Sequence, residues 1–203
     1  MKRLLIVSLA VLCAAALLPQ TLSAGIGIKG GYALSKFTTA PVGGIFSNLP
    51  SPVGGIFFSL GLGPLAIQPE VLYVRMGGKI EILEDSLEER LDYIQVPVLL
   101  KLNVIPAGPL RPFIYAGGYG AYLLKANEVT SIDGATDKLD VTENYEKYDY
   151  GVIGGAGLTF KLPGISVSVE GRYNYGLKNI KALPGEGESV KNRSMMVLVG
   201  LGF

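Results

Sequence analysis

Met195-Met196-Val197-Leu198-Val199-Gly200-Leu201-Gly202-Phe203 is an apolar stretch that alternates large and small near its end and stops on an aromatic residue. A soluble protein rarely exposes such a strand. A sheet that closes on itself inside a membrane requires one, because its last strand faces lipid on one side and pairs with the first strand. The rest of the chain is consistent with that reading.

At the other end, Lys2-Arg3 precedes an apolar segment from Leu4 to Leu18, then Pro19 and Leu22-Ser23-Ala24. This is the pattern of a secretory signal peptide, with cleavage expected after Ala24, so residues 1–24 form the leader and residues 25–203 the domain. The single cysteine, Cys13, lies in the leader behind the bulky Val11-Leu12, which does not suit a lipoprotein site. The processed chain then has no cysteine for disulfides or thiolate metal sites. Losing Lys2 and Arg3 moves the net charge from +1 to −1, which argues against a nucleic-acid partner.

The remaining 179 of the 203 residues suit one domain. Mean hydropathy is positive, yet no apolar run after the leader approaches the roughly 20 residues of a spanning helix. Gly at 28 and Tyr at 11, with neither Trp nor His, favour strands and turns.

Period-two reading gives eight strands, near residues 25–37, 53–62, 65–80, 90–104, 111–125, 147–161, 165–177 and 191–203. Brief Pro/Gly turns alternate with longer connections at 38–52, 81–89, 126–146 and 178–190. The expected fold is all-β, an eight-stranded antiparallel up-and-down transmembrane β-barrel, with ten strands an alternative if 126–146 hides a hairpin. In the seventh segment Ile165, Val167, Val169, Gly171, Tyr173 and Tyr175 share the lipid phase, and Ser166, Ser168, Glu170, Arg172 and Asn174 the interior phase. The fifth segment, from Phe113, is apolar in both phases. Tyrosines gather at one end of the strands, and Phe113, Phe160 and Phe203 at the other, as two interfacial belts would.

Gly27-Ile28-Lys29-Gly30-Gly31-Tyr32, Gln68-Pro69-Glu70-Val71-Leu72-Tyr73, Tyr93-Ile94-Gln95-Val96-Pro97-Val98-Leu99-Leu100-Lys101 and the terminal Gly200-Leu201-Gly202-Phe203 carry a family likeness. On these stretches the chain resembles the small outer-membrane β-barrel proteins of the PorT and OmpA-like type. The resemblance implies the outer membrane of a Gram-negative bacterium, and some such relatives assist secretion or gliding. The expected partners are outer-membrane lipid and lipopolysaccharide, the barrel-assembly machinery and an envelope protein.

The interior phase collects Lys29, Gln68, Glu70, Gln95, Lys101, Glu170, Arg172 and Asn174. An ion-conducting lumen is one reading. The favoured one is structural: an eight-stranded interior is only wide enough for its own side chains, and charges there must pair, with Lys101 or Arg172 able to satisfy both glutamates. Without histidine, and with no cysteine after the leader, Ser-His and Cys-His triads are impossible, so no catalytic residue is assigned. No cofactor or metal is assigned either. Gly25-Ile26-Gly27-Ile28-Lys29-Gly30 has the letters of a dinucleotide fingerprint but neither a preceding strand nor a following helix. Asp133-Gly134-Ala135-Thr136-Asp137 lacks the spacing of a calcium loop.

The segments 81–89 and 126–146 hold 11 of the 17 acidic residues. Glu84, Asp85, Glu88, Asp133, Asp137 and Asp140 are the candidate partner contacts, through a basic surface or divalent cations bridging lipopolysaccharide; the plain alternative is a solvated loop. The expected function is structural, anchoring or interacting. A small-solute channel and a soluble lipocalin-like binder, with the two faces exchanged, are the rivals.

Overall fold

The computed structural model describes residues 22–37, 45–47, 49–82, 85–132, 135–181 and 190–203. The strands are β1 (Leu22–Phe37), β2 (Ile45–Ser47), β3 (Leu49–Leu62), β4 (Leu65–Ile82), β5 (Asp85–Asn103), β6 (Leu110–Ile132), β7 (Ala135–Asp140), β8 (Tyr148–Leu162), β9 (Ile165–Gly176) and β10 (Asn192–Gly202). Eight of them form a closed antiparallel wall in the order β1, β3, β4, β5, β6, β8, β9, β10. Closure joins β1 to β10 from Gly27↔Gly202 to Phe37↔Asn192. The Phe203 N–H donates to the Ile26 carbonyl at 2.8 Å, and the reciprocal bond is 3.3 Å. A closed wall leaves no unpaired backbone edge facing lipid.

The two faces are those the alternation requires. Val197 is 63% exposed and Val199 50%, whereas Leu198 between them is fully buried. On β9, Val169 and Tyr173 face out while Ser168, Glu170, Arg172 and Asn174 are buried. A lipocalin-like barrel would show the opposite arrangement. The lumen is not uniformly polar, however. Leu72, Leu91, Leu99, Met196 and Leu198 are buried in it, because the inward phase needs filling volume as well as charge.

The fifth segment now has defined faces. Phe113, Tyr115, Tyr119, Ala121 and Leu123 point inward, and Ile114 and Tyr122 outward. Phe113 therefore does not belong to an interfacial belt, contrary to expectation: its phase turns it into the barrel, where it stacks on Tyr115 at 6.0 Å. The aromatic rings exposed near the turn end are Phe58, Phe160 and Phe203. Near the opposite end they include Tyr32, Tyr122, Tyr148, Tyr150 and Tyr173, with Tyr122 and Tyr148 edge to face at 5.4 Å.

The β3–β4 and β8–β9 connections are two residues long, and Gly63 (φ 60°) and Gly164 (φ 80°) supply the positive φ such tight reversals need. At the other end the strands outrun the wall. The described residues of 81–89 are strand: β4 and β5 stay paired to Ile82↔Asp85. β6 and β7 form a second projecting hairpin, paired from Asn127↔Asp140 to Ile132↔Ala135. Since β7 pairs with β6 alone, it adds no ninth or tenth stave to the barrel. β6 has 23 residues, about twice the roughly 9–11 that a tilted strand needs to cross a bilayer.

Candidate functional site

Lys29 stands between two glycines in the ladder, Gly55 on β3 and Gly200 on β10. With no side chain on either flank, its ammonium reaches Glu70 of β4 (2.6 Å) and Glu170 of β9 (2.9 Å). Arg172 bonds the same carboxylates: Nη1 donates to Glu70 Oε2 at 2.8 Å, and Nη2 to Glu70 Oε1 at 3.0 Å and Glu170 Oε1 at 2.8 Å. Gln68 Nε2 adds a bond to Glu70 Oε1 at 2.7 Å. The four charges sum to zero and are almost wholly buried. Paired in this way they escape the penalty of isolated buried charge.

Tyr115 completes the knot. Its hydroxyl accepts from Arg172 Nε at 3.2 Å and donates to Glu170 Oε1 at 3.3 Å. It went unassigned in the sequence because its segment is apolar in both phases. Lys101 makes no ion pair with the glutamates, the role the sequence left open for it, and interacts with them only through space. Its ammonium lies 3.5 Å from the centre of the Phe113 ring, one level nearer the turn end, while Lys29 and Arg172 take both carboxylates.

Gln95 and Asn174 form a separate layer, joined by Asn174 Nδ2 donating to Gln95 Oε1 at 3.2 Å. In a further group Asn192 donates to Asp149 Oδ2 at 2.9 Å, and Tyr119 donates to the same oxygen at 3.4 Å. Asp149 and Asn192 escaped the sequence reading because both lie at strand ends, where phase is hardest to assign.

The projecting acidic residues divide. Glu88 is held across the hairpin by Lys79 (3.6 Å) and along its own strand by Arg90. Asp140 Oδ1 accepts from the Thr142 hydroxyl at 2.6 Å and its N–H at 3.1 Å, and Oδ2 lies 3.3 Å from Lys125. These bonds, the hydroxyl's first, hold the Asp140 carboxyl below its ordinary pKa of 3.8. Asp137 accepts from the Lys138 N–H at 2.8 Å and is otherwise exposed. Asp85 opens β5 opposite Ile82. Glu84 and Asp133 lie outside the described residues. Among the described residues no cluster of three His, Cys, Asp or Glu side chains is placed to hold a metal ion.

A closed eight-stranded wall with an apolar exterior and a charge-paired lumen is a membrane architecture, and the comparisons agree. The profile of the outer membrane protein beta-barrel domain family matches residues 17–182. The chain belongs to that family. It is an integral protein of the Gram-negative outer membrane, in contact with lipid and lipopolysaccharide. Among solved structures it is similar to Neisserial surface protein A, at 12% identity and TM-score 0.53, covering 90% of this chain and 97% of that one. It is also similar to OprG of Pseudomonas aeruginosa, at 12% identity and TM-score 0.53, covering 89% and 96%. These likenesses extend to the fold. Comparison with curated protein sequences returns no match.

Proposed function

We propose that this barrel is a non-conducting, non-catalytic outer-membrane anchor that displays two acidic hairpins to a cationic partner outside the cell. The carrying observation is that β4–β5 and β6–β7 continue as paired strands beyond the wall, which makes them firm platforms. Small outer-membrane barrels keep short turns periplasmic and long connections outside, which puts these hairpins at the surface. The knot of Lys29, Glu70, Glu170, Arg172 and Tyr115 crosses the lumen from β1, β4, β6 and β9 and closes it to ions. The absence of histidine from the sequence supports the non-catalytic reading. Export through a leader cleaved after Ala24 would remove Leu22–Ala24, which pair with Leu62–Leu60 of β3, and would keep the closure, whose first bonds to the last strand start at Ile26. Insertion is assigned to the barrel-assembly machinery, which would read the final strand to Phe203.

The test uses the barrel refolded in a zwitterionic detergent. Replacing Lys79–Glu88 and Val129–Leu139 each by an Asn-Gly turn should leave a folded barrel that no longer binds an oligolysine peptide or magnesium-bridged lipopolysaccharide. Undiminished binding of both would discard the display role. Discrete single-channel openings in planar bilayers would establish the small-solute channel instead.

A further inference from the structure

The turn end of the lumen holds a partly enclosed cavity of about 370 Å³ below the charge knot. That volume lies at the lower end of small-ligand sites. Four cationic side chains line it: Lys29, Lys101, Arg111 and Lys161. No Asp or Glu side chain is among its described lining residues. Lys29 is spent on Glu70 and Glu170. The other three form no ion pair with an Asp or Glu side chain among the described residues, although Glu170 and Glu70 act on Lys101 through space. Lys101 rests on the Phe113 ring, and Arg111 Nε donates to the Gly108 carbonyl at 3.1 Å. Lys161 uses its backbone N–H on Pro109, and its side chain is exposed at the rim. Hydroxyl groups from Ser59, Thr159 and Ser168 line the same walls.

We propose that this vestibule is a binding site for a small oxyanion, a phosphate or phosphomonoester, entering from the periplasmic side. Four cationic side chains, with no Asp or Glu side chain among the described lining residues, focus a positive potential on the centre of a concave pocket. Charge-assisted hydrogen bonds from ammonium and guanidinium groups are the strong ones, and a tetrahedral oxyanion accepts several at once. The enclosed Lys101 is the key group. Its aromatic floor satisfies one side of the ammonium, and an anion in the cavity would contact it directly, where Glu70 and Glu170, bonded to Lys29 and Arg172, act only through space. If the leader is cleaved after Ala24, Ser23 and Ala24 leave the lining and the α-ammonium of Gly25 joins it.

Inorganic phosphate and glycerol 3-phosphate are titrated into the refolded barrel in zwitterionic micelles at constant ionic strength, with binding read by calorimetry and phosphorus NMR. Heat-modifiable gel mobility establishes that each variant is folded. Saturable binding is expected, weakened at least tenfold in K101Q and severalfold in K161Q, with K101R recovering most of it. K161Q, at the exposed rim, decides the matter if K101Q fails to fold. Adding phosphatidylglycerol separates the sources of the group. Displacement of phosphate assigns the site to a lipid headgroup, and lack of displacement to a soluble anion; both support the site. Non-saturable binding, or binding equal in the wild type and the folded glutamine variants, overturns it.

Discussion

Tyr115 of β6 lies directly opposite Gly155 of β8, and Arg172 of β9 lies opposite the same glycine on its other side. The absence of a side chain at Gly155 is what lets the phenol and the guanidinium meet above it. The pattern repeats along β8, where Gly151 faces Tyr119 and Gly157 faces Phe113. Large rings on one strand and glycines on the next fill a narrow cylinder without overpacking it.

Gly155→Val should therefore destabilise the folded barrel by about 1–3 kcal/mol, because the new side chain meets the Tyr115 ring and the Gly171 carbonyl. Gly154→Val, one residue away and with open space at its Cβ, should stay close to the wild type. Urea unfolding in lipid vesicles measures both. Equal costs at the two positions would refute the assignment of faces on β8.

The carboxylate–guanidinium knot should behave as one unit. Arg172→Met alone should cost about 3–5 kcal/mol, since it leaves Glu70 and Glu170 sharing Lys29. Combining it with Glu70→Gln should cost clearly less than the sum of the single changes. An additive double-mutant cycle would show that the pair is not coupled.

Much of this was legible from the chain alone. On β9 every second residue is polar or small, and on β10 small or polar residues recur in one phase at Ser194, Gly200 and Gly202, so phase, and with it the placement of Glu170, Arg172 and Val197, followed from alternation. Lys29, Gln68 and Glu70 came out the same way. The inward rings of β6 did not, because a strand apolar on both faces carries no period-two signal. Nor could spacing show that Arg172, not Lys101, would share the glutamates with Lys29. That depends on which positions across the cylinder are glycine and how the strands are staggered. The projecting hairpins were legible only as alternatives, because composition does not fix register; a cross-strand contact such as Lys79 with Glu88 (3.6 Å) emerges only once the pairing is known.

Asp140 makes the β6–β7 hairpin base sensitive to acid. Its carboxyl is depressed in the folded state, so its stabilisation is fully present above the ordinary value of 3.8 and is lost as pH falls through the lower folded value. Amide exchange at Thr142 should accelerate as pH is taken below that range, relative to amides of the barrel wall. D140N should remove the pH dependence, and a dependence that survives the substitution would assign it to another group.

The alternation on β10 separates bilayer from packed lumen. Val197→Arg, near the middle of a bilayer-facing strand, should cost about 2–4 kcal/mol in vesicles.

Nitroxides placed one at a time from Met195 to Leu201, in a chain whose only native cysteine is Cys13, test that claim most directly by power saturation in lipid vesicles. Labels at 195, 197, 199 and 201 should be relaxed by oxygen dissolved in the acyl chains. Labels at 196, 198 and 200 should be reached by neither oxygen nor a water-soluble nickel chelate. Strong relaxation by the nickel chelate at 197 and 199 would mean that this face meets water, and the account would be wrong.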